Sequence, residues 1–168
     1  MKKYFHMAAL TIVAALMLTA CGDDDPKDKV TATATYSMSF SQDLLNACNV
    51  FITYKAENGR NAMEAINNTW WTKTVTSDKF PAEFGVMYVF STKSDAELTQ
   101  ERYNLTCDMN IAIKTNKGAN YSNTVSIINQ EVAKNKVVST LDKITGKSTG
   151  FKVTKDGIVS QANNLDYD

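Results

Sequence analysis

The chain has 168 residues, with 18 Lys and Arg against 18 Asp and Glu, a formal net charge of zero and a single histidine. This length suits one domain, and the balanced charge excludes a protein that binds nucleic acid through a clustered excess of basic residues. One histidine also excludes a metal site built from several histidines.

The first twenty residues have the pattern of a secretory signal. Lys2 and Lys3 give a positive start, and the apolar run over residues 7–18 is too short to span a bilayer as an anchor. The segment ends on Leu18, Thr19, Ala20 and Cys21. This arrangement resembles the lipobox of bacterial lipoproteins. The resemblance implies a signal peptide over residues 1–20 and acylation of Cys21, which would hold the protein on a membrane by its acyl chains. The alternative is an ordinary signal peptide with an incidental cysteine.

An acidic run follows the cysteine and consists of Gly22, Asp23, Asp24 and Asp25. It looks like the export tag of surface lipoproteins in Bacteroidota, which implies a place on the outer membrane, exposed at the cell surface. The alternative is a solvated tether on a lipoprotein that faces the periplasm. Residues 22–29 carry no apolar side chain except Pro26, so we expect a flexible tether over residues 21–29 and a folded domain over residues 30–168.

Cleavage before Cys21 would change the chemistry that the chain can perform. It removes Lys2, Lys3 and His6, which leaves 16 basic against 18 acidic residues, a net charge of −2 and no histidine. Catalysis by Ser-His-Asp or Cys-His and zinc binding by histidine are then excluded. We therefore predict a protein that is not an enzyme and holds no metal and no cofactor. A glycosidase that uses only carboxylates is the distant alternative.

Alternating apolar and polar residues predict a strand over residues 30–41, where Thr or Ser fills the positions between the apolar residues. Asn58 and Gly59 favour the positive φ values of a two-residue type I′ turn, and Asn67 and Asn68 predict a bulge or break in the strand that follows. The remaining predicted strands cover residues 47–56, 61–75, 84–92, 103–113, 124–129, 151–154 and 158–161.

Residues 136–145 are ambiguous. Val137, Leu141 and Ile144 fit one face of a helix that Gly146 would end, whereas the β-branched content favours a strand. We predict a short helix here and a tail over residues 163–168. About eight short strands with turn signals between them predict an all-β, mainly antiparallel β-sandwich.

Cys48 and Cys107 share the parity of the apolar residues in their strands, so both should point into the core. In an exported protein, two such cysteines indicate either a disulfide or two separate buried thiols that behave as small hydrophobic residues.

The adjacent Trp70 and Trp71 should point to opposite faces of their strand. A two-residue turn would pair Ala56 with Asn61 and Phe51 with Ile66. Phe51, Ile66 and Trp70 would then share one face, with Met63, Ala65 and Trp71 on the other. The candidate aromatic binding patch is Phe51, Ile66, Trp70 and Trp71, suited to a sugar or a protein partner if it is exposed. The alternative is that the helix or the C-terminal segment covers it.

These observations predict a membrane-anchored, exported and non-catalytic surface binding or accessory module, with a glycan or protein partner and no nucleic acid. The alternative is a structural or assembly component of an envelope complex that has no small ligand. Solvent exposure of Phe51, Ile66 and Trp70 would favour the first.

Overall fold

The computed structural model describes residues 29–95, 97–162 and 164–167, and these residues form two antiparallel sheets packed face to face. The predicted all-β sandwich is therefore confirmed, with nine described strands in place of about eight. The strands are β1 (Ala32–Phe40), β2 (Cys48–Lys55), β3 (Asn61–Ile66), β4 (Trp70–Ser77), β5 (Ala82–Thr92), β6 (Arg102–Thr115), β7 (Asn120–Ala133), β8 (Lys147–Val153) and β9 (Val159–Gln161). The helices are α1 (Gln42–Ala47) and α2 (Val137–Leu141).

Sheet A has the strand order β4-β1-β6-β7, and sheet B has the order β3-β2-β5-β8-β9. The inward side chains of both sheets form one apolar core, as the strict alternation of buried and half-buried residues along β1 illustrates. Fully buried side chains such as Tyr36, Phe84 and Ile111 make up this core. Burial of each large apolar side chain contributes about 1.5–3 kcal/mol to folding.

The helix α1 carries the chain from sheet A to sheet B and was not predicted. Ser41 caps it, since its Oγ accepts a hydrogen bond from the Leu44 N–H at 3.2 Å. Leu44 and Ala47 are buried on its inner side. The helix α2 is shorter than the predicted segment 136–145, but it confirms a helix at that place.

The predicted strand over residues 61–75 is two strands, β3 in sheet B and β4 in sheet A. The break falls at residues 67–69, where Asn67 and Asn68 predicted one. The Phe40 N–H at the end of β1 donates to the Thr69 carbonyl at 2.8 Å, which fixes the start of β4 beside β1.

The predicted register of the β2–β3 hairpin is wrong by one residue. Asn58 and Gly59 do adopt positive φ values of 58° and 79°, but the loop holds three residues, 57–59, and Lys55 pairs with Asn61. A slip of one residue moves every side chain of β3 to the other face. Met63 therefore lies outside, with the residue 68% exposed, and Glu64 points inward.

Residues 164–167, which fall in the predicted tail, pack on the outer face of sheet B. Leu165 is buried and Tyr167 is half-buried. The buried Lys55 donates through Nζ to the carbonyl of Asp166, and its Nζ lies 5.4 Å from the centroid of the Tyr167 ring. This segment therefore covers one part of the sheet B surface.

Candidate functional site

The predicted lipidation site Cys21 and the predicted export tag, residues Gly22, Asp23, Asp24 and Asp25, lie outside the described residues. Within the described ranges, no helix has the length and apolar character needed to cross a membrane.

Cys48 and Cys107 are both buried, and the structure has no bond between their sulfurs. The Cys48 Sγ donates to the Leu44 carbonyl at 3.2 Å. Burial raises the pKa of the Cys48 thiol to about 12 and also raises the pKa of Cys107. Neither thiol is therefore a nucleophile at neutral pH in the folded protein.

The four residues of the predicted aromatic patch do not lie together. Ile66 is buried at the end of β3, Phe51 is half-buried on the outer face of sheet B, and both line a shallow hollow of about 210 Å³. Trp71 is buried inside the sandwich. Trp70 alone is well exposed, at 59%, and it lies on sheet A.

Trp71 belongs to a polar and aromatic cluster that closes the side of the sandwich between β3 and β4. Its ring stacks on Tyr36 at a centroid distance of 6.4 Å, and its Nε1 donates to Glu64 Oε2 at 2.9 Å. Glu64 Oε1 accepts from the Tyr54 hydroxyl at 2.9 Å and lies 2.6 Å from Lys73 Nζ. Hydrogen bonds from Lys73 and then Trp71 hold the pKa of Glu64 below its usual value. These contacts give Trp71 a structural role.

Trp70 lies on a different surface, the outer face of sheet A, which we call the polar face. Strand register places its residues in four rows that run across β4, β1, β6 and β7. The rows are Trp70, Ser39, Asp108 and Ser126; Thr72, Ser37, Asn110 and Thr124; Thr74, Thr35, Ala112 and Ser122; and Thr76, Thr33, Lys114 and Asn120.

Cross-strand hydrogen bonds order the rows that lack the tryptophan. The hydroxyls of Thr33 and Thr76 lie 3.0 Å apart, those of Thr35 and Thr74 lie 3.1 Å apart, and Ser37 and Thr72 form a third pair. On the other half of the face, Asn110 Nδ2 donates to Ser122 Oγ at 2.9 Å and to Thr124 Oγ1 at 2.8 Å. Most polar groups in these rows therefore already have partners.

The row that contains Trp70 differs, and we call it the Trp70 row. In the part of the chain that the structure describes, the side chains of Ser39, Asp108 and Ser126 make no hydrogen bond or ion pair. Since neighbouring strands lie 4.7–4.9 Å apart, Trp70 and Asp108 are separated by roughly 10 Å across β1. The row thus combines an exposed aromatic surface with hydroxyl and carboxylate groups that are available to a ligand.

The sequence singled out Trp70 but not Ser39, Asp108 and Ser126. The signal available for Ser39 was the run of Thr and Ser at alternate positions of residues 31–41. Nothing local marks Asp108, because it joins Trp70 only through the pairing of β1 with both β4 and β6.

No group of three or more His, Cys, Asp or Glu side chains that could hold a metal ion occurs among residues 29–95, 97–162 and 164–167. Comparison of the chain with protein-family models, with curated proteins and with solved structures finds no match.

Proposed function

We propose that this chain is an exported, lipid-anchored and non-catalytic binding module that holds a polysaccharide on its polar face. The observation that carries the proposal is the exposure of Trp70 in the one row of that face whose polar side chains have no described partners.

The chemistry of the Trp70 row fits a sugar chain. An exposed indole offers a flat apolar surface with a polar edge, which suits the face of a pyranose ring. Ser39 and Asp108 lie about 5 Å and about 10 Å along the row from Trp70, where a hydroxyl and a carboxylate can bond to the hydroxyls of a sugar chain that continues beyond the indole. The rows beyond are ordered by their own hydrogen bonds, so a ligand would meet a surface that needs little reorganisation on binding.

The anchor and the location in this proposal come from the sequence. Acyl chains on Cys21 would insert in the outer membrane, and residues 22–29 would act as a tether between the membrane and the domain. We place the protein on the cell surface, following the resemblance of residues 22–25 to an export tag. A glycan on the outside of the cell is then accessible to the polar face.

Replacement of Trp70 tests the binding face. We expect Trp70→Ala in the full-length protein to abolish retention on a panel of insoluble polysaccharides, namely cellulose, insoluble xylan and mannan. The matched control is Met63→Ala, because Met63 is also a large exposed apolar residue, at 68% against 59% for Trp70, but lies on sheet B. Equal retention by the wild type and both variants, or no retention of the wild type on any of these glycans, would contradict the proposal.

A further inference from the structure

The outer edge of β7 differs from the other sheet edges. The strand has 14 residues and ends sheet A, and among the strands that the structure describes it pairs only with β6. Residues 120–130 contain no charged residue and no proline. The other edge strands are shorter or charged: β9 has three residues, while β3 contains Glu64 and β4 contains Lys73. Natural proteins use short strands, charges, prolines and β-bulges to keep sheet edges from pairing, and residues 120–126 of β7 contain no charge, no proline and no bulge.

The unpaired backbone groups can be assigned from the hydrogen-bond pattern. The Thr115 N–H donates to the Ala119 carbonyl at 3.0 Å, and the same register pairs Ile113 with Tyr121. In an antiparallel pair the bonding residues alternate, so the odd residues 121, 123 and 125 bond to β6. The even residues 120, 122, 124 and 126 therefore direct their N–H and C=O groups to the open edge.

A β-bulge limits the open edge to residues 120–126. The register of β6 with β7 shifts between Cys107 and Asp108, so Ile127 is the extra residue on β7. Beyond it, residues 127–130 lie beside Thr140, Lys143 and Ile144 at the end of α2. The segment before the bulge has no such neighbour among the described residues.

We infer that residues 120–126 pair with the same segment of a second copy of this chain and join two A sheets into one sheet of eight strands. A two-fold axis at Asn123 places Ser122 opposite Thr124 and Asn120 opposite Ser126 on the outer face. On the inner face it places Tyr121 opposite Val125. Polar side chains therefore face polar ones on the outer face, Tyr121 packs against Val125 on the inner face, and no like charges face each other.

A second copy fits this edge better than a peptide from another protein. When a peptide adds a strand to an exposed sheet edge, pockets that receive every second side chain of the peptide provide the specificity. The hollow beside β7 lies beyond the bulge, next to residues 127–130, and not along residues 120–126. Residues 120–126 can form backbone hydrogen bonds with a strand of another protein, but they offer few side-chain contacts that would select such a strand. The same residues are complementary to a second copy of themselves.

The test uses the full-length protein in detergent, at a protein concentration well below that of the micelles, with sedimentation velocity as the measurement. We expect a reversible dimer for the wild type and a dimer dissociation constant at least about tenfold higher for Thr124→Lys, which brings like charges together at the pairing edge. Hydrogen exchange should slow at residues 120–126 as the protein concentration rises.

The matched control is Thr74→Lys. It places the same charge on the same face, removes one hydroxyl hydrogen bond as Thr124→Lys does, and lies on the opposite edge strand, β4. It should dimerise like the wild type. A wild type that stays monomeric at all concentrations, a dimer that Thr124→Lys leaves unchanged, or protection of residues 120–126 only by a different protein would each overturn the inference.

Discussion

Gly85 of β5 lies directly opposite Gly150 of β8, and the C-terminal segment packs on the bare backbone of this glycine pair. A Cβ on Gly85 would come within 2.4 Å of the Tyr167 hydroxyl and 2.8 Å of the Thr149 carbonyl. A Cβ on Gly150 would come within 2.4 Å of Leu165 Cδ1. The two glycines thus form a groove that their lack of side chains keeps open.

We predict that Gly150→Ala destabilises the protein by about 1–3 kcal/mol, because the new methyl group meets Leu165 and the Ala162 carbonyl. Urea denaturation provides the measurement. The double variant Gly150→Ala/Leu165→Ala should lose less unfolding free energy than the sum of the losses in the single variants Gly150→Ala and Leu165→Ala, since Gly150→Ala already displaces Leu165. Strict additivity would show that the segment does not depend on this groove.

Tyr36→Phe tests a hydroxyl that completes the pairing of β2 with β5. The Tyr36 hydroxyl donates to the Lys55 carbonyl at 2.8 Å and accepts from the Gly85 N–H at 3.2 Å, at the point where the ladder between these strands ends. Its removal leaves two backbone groups without this partner and should cost about 1–3 kcal/mol of unfolding free energy. Tyr103→Phe is the control. Among the described residues, the Tyr103 hydroxyl accepts from one backbone N–H, that of Gln100, so we expect a smaller loss.

The hydrogen bonds on Glu64 predict how stability varies with pH. Its pKa in the folded protein is below the usual 4.5, so ionised Glu64 stabilises the fold above that pH, and this stability is lost as the pH falls through the folded-state pKa. Glu64→Gln should therefore be less stable at neutral pH and should lose less stability than the wild type between about pH 5 and pH 3.

The control for this pH series is Glu131→Gln, because the pair of Glu131 and Arg102 has both side chains more than half exposed. Exposed ion pairs contribute about 0–1 kcal/mol, so this variant should follow the wild-type curve closely. Parallel curves for Glu64→Gln and the wild type would refute the role given to Glu64.

Thiol labelling distinguishes the two alternatives for Cys48 and Cys107. We expect neither to react with a thiol reagent in the folded protein, because burial raises the pKa of both thiols. Unfolding in denaturant without a reductant should make both available for labelling. If both appear only after a reductant is added, the pair is a disulfide in the exported protein.

Protease treatment of intact cells tests the surface address. We expect the full-length wild type to be cleaved and a variant with Asn at residues 23–25 to be protected, since the acidic run would direct export to the surface. Equal cleavage of the two would remove the role of that run. Protection of the wild type as well would place the protein on the periplasmic face.

The local pattern predicted the sandwich because side chains alternate across a sheet with period two, as residues 30–41 illustrate. The predicted strand over residues 124–129 is shorter than β7, because an edge strand buries its inner side chains only in part. Tyr121 and Asn123 are half-buried, so their positions carry a weak apolar signal. The Asn58-Gly59 pair is compatible with a loop of two residues or of three. The difference of one residue in loop length decides on which face of the sheet Met63 and Glu64 lie.

The candidate site was predicted in part for a similar reason. Adjacent residues of a strand point to opposite faces, so the Trp70-Trp71 pair by itself was enough to make Trp70 a candidate. Its neighbours Ser39 and Asp108 come from strands that are distant in the sequence, and only the order β4-β1-β6 brings them into one row. No local spacing encodes that order.

The register between β1 and β4 has a mechanical consequence for an anchored protein that holds a ligand. The chain enters β1 at Ala32, whereas Trp70 pairs with Ser39 at the far end of that strand. Tension between the membrane and a ligand on Trp70 would pull these two antiparallel strands along their length in opposite directions. The backbone hydrogen bonds between β1 and β4 and the three hydroxyl pairs beside them would then carry the force together, in shear, and would not break one after another.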